Sequence, residues 1–312
     1  MAFQEAAKQA IQGSLRVRQG EEVLVVVDRD ALPFGEAVAY WCKTAGASVN
    51  TFYMADAARP YSKPTKAFSD LISRADVTIY AIRSIAEEKP FRSFMVGEGR
   101  RAGRICMMPG FSEDMSDAVS VDYADMQQFT DRVQHYIKDA AEIAITNAKG
   151  TDIKFSLKGR QLEQDVGEIN KKGQFGNLPA GEIFTAPVEE SFSGTIAFDL
   201  IDEFRGPGKA TFERGKLVKQ IGTGIGKLLD VAGRDESAKM VGEFGIGTNR
   251  KARINSRMLE AEKAFGTVHF AIGDSYGFGV NRSKFHFDML VDSPTILVNG
   301  RKLMVNGRFL FE

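Results

Sequence analysis

Cysteine is scarce in this chain. Its two copies, Cys42 and Cys106, lie far apart, and no Cys-x-x-Cys pair exists. That excludes a zinc ribbon and a thioredoxin-type redox motif. Both cysteines sit among apolar neighbours and are expected to be small core residues. A surplus of charge is also lacking, since 41 Lys and Arg balance 41 Asp and Glu. A nucleic-acid partner, which calls for a basic excess against phosphates, is therefore not expected. No apolar run approaches the roughly 18 residues of a membrane span. The start, Met1-Ala2-Phe3-Gln4-Glu5, has neither a basic nor an apolar leader segment. The expectation is a soluble, cytoplasmic protein with no membrane partner.

Several chemical motifs are missing too. The first strand-to-helix turn, Asp28 to Gly35, has no Gly-x-Gly-x-x-Gly, so it offers no close backbone approach to a pyrophosphate. Gly222-Thr223-Gly224-Ile225-Gly226-Lys227 lacks the first glycine and the final Ser or Thr of a phosphate loop, and is expected to be a turn leading into a helix. There is no His-Glu-x-x-His and no Gly-x-Ser-x-Gly.

What is present is a chain of 312 residues, 43 % hydrophobic, ample for a buried core and two modest domains. The first half alternates. Helical spacing over 3–17 precedes a continuous apolar strand at Val23–Val27, of the kind buried on both faces. Helices are expected at 33–45, 65–73 and 87–101, strands at 49–54, 77–82 and 104–108, and a long helix over 123–147. Strands alternating with helices imply right-handed βαβ units. After Gly150 short apolar runs are broken by Gly, Pro and Asn, and the tail reads as a hairpin turning at Asn299-Gly300. The fold class is α/β. A small doubly wound parallel-sheet domain over 1–149 is expected, followed by a mainly antiparallel α+β domain over 150–312.

Only three histidines occur. His135 lies in a polar helical stretch and is expected at the surface. His269 and His286 lie in segments that alternate as strands do, and His286 and Asp288, at i and i+2, share one strand face. Glu182 opens an apolar strand, and Glu243 is flanked by glycines and apolar residues. Imidazoles and carboxylates together form a donor set for zinc, cobalt or manganese. The plain alternative is a hydrogen-bonded His–Asp pair with strand-end glutamates.

The stretches Asn177–Pro187, Glu243–Asn249, Gly266–Gly273 and Ser283–Asp288 resemble, in order, the signature blocks of the thermophilic metalloprotease family of aminopeptidases. The resemblance implies an α/β N-terminal domain, a metal-bearing C-terminal domain and a homodimer. It implies Glu182, Glu243, His269, His286 and Asp288 as ligands of two divalent ions, which Glu243 and Asp288 are suited to bridge. It also implies a peptide substrate and a role for Tyr276, seven residues after the first histidine, as an oxyanion donor. Longer members carry a further glutamate where this chain has Ala264, so Glu260 or Glu262 is the candidate replacement. A ligand carboxylate such as Glu243, or Glu262, is the candidate general base. The apolar residues Phe285, Phe287 and Phe309 are compatible with a dimer surface. Two other classes stand beside the hydrolase. One is an Fe(II)-dependent ring-cleaving dioxygenase of the dihydroxypyridine type, using two His and one Asp. The other is a metal-free binding protein.

Overall fold

The computed structural model describes residues 2–83 and 85–311. Its helices are α1 (Ala2–Lys8), α2 (Leu32–Thr44), α3 (Lys66–Ile72), α4 (Lys89–Ala102), α5 (Ser116–Val119), α6 (Tyr123–Ile137), α7 (Thr223–Ala232) and α8 (Met258–Ala261). Among the described residues no helix is long and apolar enough to cross a membrane. The chain forms two compact units, Met1–Ala124 with Asp165–Ala180, and Asp125–Gln164 with Gly181–Glu312.

The first unit is built on strands β1 (Glu22–Val27), β2 (Ser48–Tyr53), β3 (Val77–Ala81) and β4 (Arg104–Met107). They are all parallel, in the order β2-β1-β3-β4. Every residue of β1 after Glu22 is buried, as a Val-Leu-Val-Val-Val run demands when helices cover both faces. Cys42 and Cys106 are buried here. Pro33 near the start of α2 supplies a helix-ready φ where no amide partner is needed.

The remaining strands are β5 (Ile143–Thr146), β6 (Asp152–Phe155), β7 (Glu163–Asp165), β8 (Phe175–Asn177), β9 (Glu182–Thr185), β10 (Ser193–Ile201), β11 (Phe204–Glu213), β12 (Lys216–Ile221), β13 (Val241–Gly247), β14 (Val268–Gly273), β15 (His286–Val291), β16 (Thr295–Val298), β17 (Arg301–Val305) and β18 (Arg308–Phe309). β8 joins the parallel sheet beside β4. The others form one large sheet in the order β18-β17-β16-β5-β6-β10-β15-β14-β13-β9-β7, with β11 and β12 attached through β10. This is the α/β architecture with a doubly wound sheet and a mainly antiparallel second sheet.

Two expectations change. The helix beginning at 123 stops at Ile137 instead of running to 147. Asp139 adopts φ +54°, and Ile143–Thr146 pairs with both β6 and β16, satisfying more backbone groups than a helix end would. The boundary between units accordingly falls at Ala124/Asp125, not at 149/150, and Asp165–Ala180 returns to the first unit through β8. The Asn299-Gly300 hairpin forms as expected, with both residues at positive φ.

The centre of the second sheet has two unlike faces. Ile183, Phe244, Ile246, Val268, Phe270, Ile272, Phe287, Met289 and Val291 point into one apolar core. Phe287 and Phe309 are 7 % and 4 % exposed, so they belong to that core and do not form the surface suggested for a dimer. The alternate residues of the same strands face the other way and carry the polar groups.

Candidate metal centre

The register of β9, β13, β14 and β15 places the polar face residue by residue. Glu182 lies opposite Gly247, Gly245 opposite His269, Glu243 and Asp288 on either side of Ala271, and His286 opposite Gly273. A bulge between Val241 and Glu243 sets which side of β13 Glu243 occupies. Large polar side chains thus alternate with Gly and Ala across four strands. The small residues leave room for the large ones. A methyl group at Gly245 would lie 2.2 Å from Cε1 and Nε2 of His269, so the imidazole lies directly over that glycine.

The five side chains come together. His269 Nε2 is 3.2 Å from Glu243 Oε1 and 3.3 Å from Glu182 Oε2. His286 Nε2 is 3.3 Å from Asp288 Oδ1 and 3.7 Å from Glu243 Oε2. One ligand atom each from Glu243, His286 and Asp288 falls within 4.8 Å of the others, an arrangement that can hold an ion. His269 and Glu182 flank that trio. His286 Nδ1 donates to the Asp274 carbonyl at 2.8 Å, leaving Nε2 aimed at the carboxylates.

The cluster is buried and short of positive charge. His269 is 0 %, Glu182 6 % and Glu243 8 % exposed. Burial pushes the Glu182 carboxyl up to about 8, over the opposing pull of the Lys263 ammonium. Burial disfavours a charged His269, yet the Glu243 hydrogen bond and the Glu182 charge outweigh it and raise the ring to about 9. His286 is likewise held well above the ordinary imidazole range against its burial, chiefly by Asp288. The Asp288 carboxyl is buried, but His286 holds it below its usual value. Two buried oxygens, Glu182 Oε2 and Asp288 Oδ1, accept no hydrogen bond. Nitrogen and oxygen donors converging with unsatisfied lone pairs suit a divalent ion.

Tyr276 is half exposed, and its ring lies against His286 with centroids 4.6 Å apart. It adopts φ +48° in the loop after β14. Glu260 is fully buried and turned to local partners, the Arg253 amide at 3.0 Å and the Asn255 side chain. Glu262 instead meets Lys263 at 2.6 Å.

Two groups at the site escape a reading of the sequence. Lys263 is 2 % exposed, and its Nζ lies 2.6 Å from Glu182 Oε1. Asp202, in the β10–β11 turn, exchanges backbone contacts with Asp288. The Asp288 amide donates to Asp202 Oδ1 at 3.1 Å, and the Asp202 amide to the Asp288 carbonyl at 2.8 Å. Burial and the neighbouring Asp288 push the Asp202 carboxyl up to about 7. A Lys beside a Glu and an Asp in a turn both read as surface residues, so neither carried a signal.

No curated protein matches this chain. Two solved structures match nearly its whole length and show the same fold. The 2,5-dihydroxypyridine dioxygenase from Pseudomonas putida KT2440 has a TM-score of 0.79 at 16 % identity, covering 99 % of this chain and 97 % of its own. Wild-type AmpT from Thermus thermophilus has a TM-score of 0.71 at 19 % identity, covering 99 % of each. The family model described as thermophilic metalloprotease (M29) matches residues 112–309, well over half of the sequence and every residue of the cluster. By that match, this chain belongs to the thermophilic metalloprotease (M29) family.

Proposed function

We propose that this chain is a metal-dependent aminopeptidase that removes the N-terminal residue of a peptide. One observation carries the proposal. Glu182, Glu243, His269, His286 and Asp288 converge on one face of four neighbouring strands, buried and with unsatisfied oxygens. Glu243, His286 and Asp288, with His269 beside them, would hold the divalent ion, and zinc, cobalt or manganese suits that donor set. A divalent ion bound there supplies Lewis acidity to a scissile carbonyl and lowers the pKa of water.

The chain's own residues have separate tasks. His286 is oriented by its Nδ1–H bond to the Asp274 carbonyl. Glu243 spans both imidazoles and is the carboxylate best placed to take a proton from the attacking water. Glu262 is engaged instead by the Lys263 ammonium. Tyr276 stands on the solvent side of His286, where its phenol donates to the oxygen that gains charge in the transition state. The acidic cluster would attract a positively charged free α-amine, a charge that an acetyl block removes. A homodimer is the assembly in this proposal.

The test compares an unblocked aminoacyl anilide or dipeptide with its N-acetyl form, with Co(II), Zn(II) or Mn(II) supplied. Cleavage confined to the unblocked compound is expected. Equal turnover of both excludes an aminopeptidase. A second class, an iron-dependent ring-cleaving dioxygenase, is favoured by one feature: His269, His286 and Asp288 lie on two adjacent strands as a two-His, one-carboxylate set. Oxygen uptake on a dihydroxylated aromatic ring, with no peptide cleavage, is its signature.

A further inference from the structure

Among the described residues, Lys263 is the lysine whose ammonium the fold builds into this face. Its backbone is pinned beside the end of β13, where the Asn249 amide donates to the Lys263 carbonyl at 2.9 Å and the Phe265 amide to the Asn249 carbonyl at 3.0 Å. Its side chain is 2 % exposed and ends between two carboxylates, with Nζ 2.6 Å from Glu182 Oε1 and 2.6 Å from Glu262 Oε1. Contacts that short are charge-assisted hydrogen bonds. Glu182 is divided by them. Oε1 belongs to the lysine, while Oε2 faces His269 at 3.3 Å and accepts no hydrogen bond.

A second divalent ion in a shared site normally lies about 3.5–4 Å from the first and takes carboxylate oxygens of its own. Here one of the two Glu182 oxygens is already held by an ammonium, which leaves a second ion only Oε2, the oxygen that faces His269. The neighbouring position offers only the methyl group of buried Ala264, and Glu260 is committed to Arg253 and Asn255. Charge points the same way. With all three ionised, Glu182, Glu243 and Asp288 carry three negative charges, which one ammonium and one divalent ion neutralise. A second ion would bring two more positive charges to a face that already holds a buried ammonium.

We propose that the Lys263 ammonium stands where a second metal ion would bind, and that this centre holds one divalent ion per chain. The inference rests on the metal-centre assignment above and replaces the two ions implied by the family resemblance. Lys263 is a positioning residue: it fixes Glu182 so that Oε2 faces His269.

The experiment is a count of bound metal. Purified full-length protein is equilibrated with excess Zn(II), desalted and analysed for zinc per chain, with titration calorimetry alongside. Wild type should bind one ion. Lys263→Gln removes the charge and should bind two, the second as a separate calorimetric event. Lys263→Arg keeps the charge and should bind one. Lys263→Gln combined with Glu182→Gln should return to one. Two ions in wild type overturn the inference, as does a folded Lys263→Gln protein that binds only one. Should Lys263→Gln not fold, the wild-type count alone still decides between one and two. No ion in wild type overturns the metal-centre assignment itself, a distinct result.

Discussion

Replacing Gly245 by Ala tests whether the small residues on the polar face exist to make room for the metal ligands. Gly245 lies in β13 at an ordinary strand φ, so alanine brings no backbone strain. Its only effect is the new methyl, 2.2 Å from His269 Cε1 and Nε2. Carbon contacts settle near 3.5 Å or beyond, so the ring must retreat by about 1.3 Å. It is fully buried and hydrogen-bonded to Glu243 at 3.2 Å, so it cannot retreat freely. Overpacking of this kind costs about 1–3 kcal/mol of stability. Metal ligands tolerate displacements of only about 0.2 Å, so binding should weaken by at least about 10–100-fold, the loss typical of disturbed ligand orientation. Urea denaturation measures the first quantity and calorimetric Zn(II) titration the second. Gly226→Ala in helix α7, where the nearest atom is 3.9 Å from the new methyl, is the control and should be neutral or stabilising by up to about 1 kcal/mol. Wild-type zinc affinity in Gly245→Ala would refute the claim that His269 is held in place over this glycine as a ligand.

Tyr276→Phe should lower kcat by about 10²-fold with unchanged metal content, the usual effect of one lost oxyanion donor. A wild-type rate assigns Tyr276 to loop packing. Metal binding should depend on pH with a defined sign. His269, raised to about 9, and His286, raised well above the usual range, must lose protons before they ligate. Affinity should therefore climb with pH through the range near 9 in which His269 loses its proton, and binding near neutrality should release protons into a weakly buffered indicator. A flat profile contradicts this. In the first unit, Arg59 meets Glu88 at 2.6 Å and Asp28 at 3.3 Å, with all three side chains at most 4 % exposed. Arg59→Ala leaves those carboxylates buried without their partner and should cost about 3–5 kcal/mol. Urea unfolding followed by the fluorescence of Trp41, the sole tryptophan, measures it, and a loss below 1 kcal/mol contradicts the assignment.

The parallel sheet is legible in the sequence because strands such as Val23–Val27 are buried on both faces and read as unbroken apolar runs. The polar cluster is legible for a related reason. His286-Phe287-Asp288 and Val268-His269-Phe270 alternate polar with apolar, and period two assigns the faces without any knowledge of partners. What sequence cannot supply is the neighbour across the strand. Lys263 and Asp202 acquire their roles from Glu182 and Asp288, residues distant in sequence that only the register brings close. The helix end at Ile137 is hidden in the same way, because the alanines at 140, 141 and 144 favour a helix until β6 and β16 offer Ile143–Thr146 a ladder. Phe287 and Phe309 look exposed only while the opposite sheet face has no known core.

The most direct test of the account is elemental analysis of wild type and Glu243→Ala after equilibration with excess divalent metal, paired with cleavage of an unblocked aminoacyl anilide. Glu243 contacts both imidazoles and belongs to the ion-sized group with His286 and Asp288. Its removal should therefore release the ion and abolish cleavage together. The predicted result is bound metal and cleavage in wild type, and neither in Glu243→Ala. Metal retained in both proteins as iron, with oxygen consumed on a phenolic substrate and no cleavage, would contradict it.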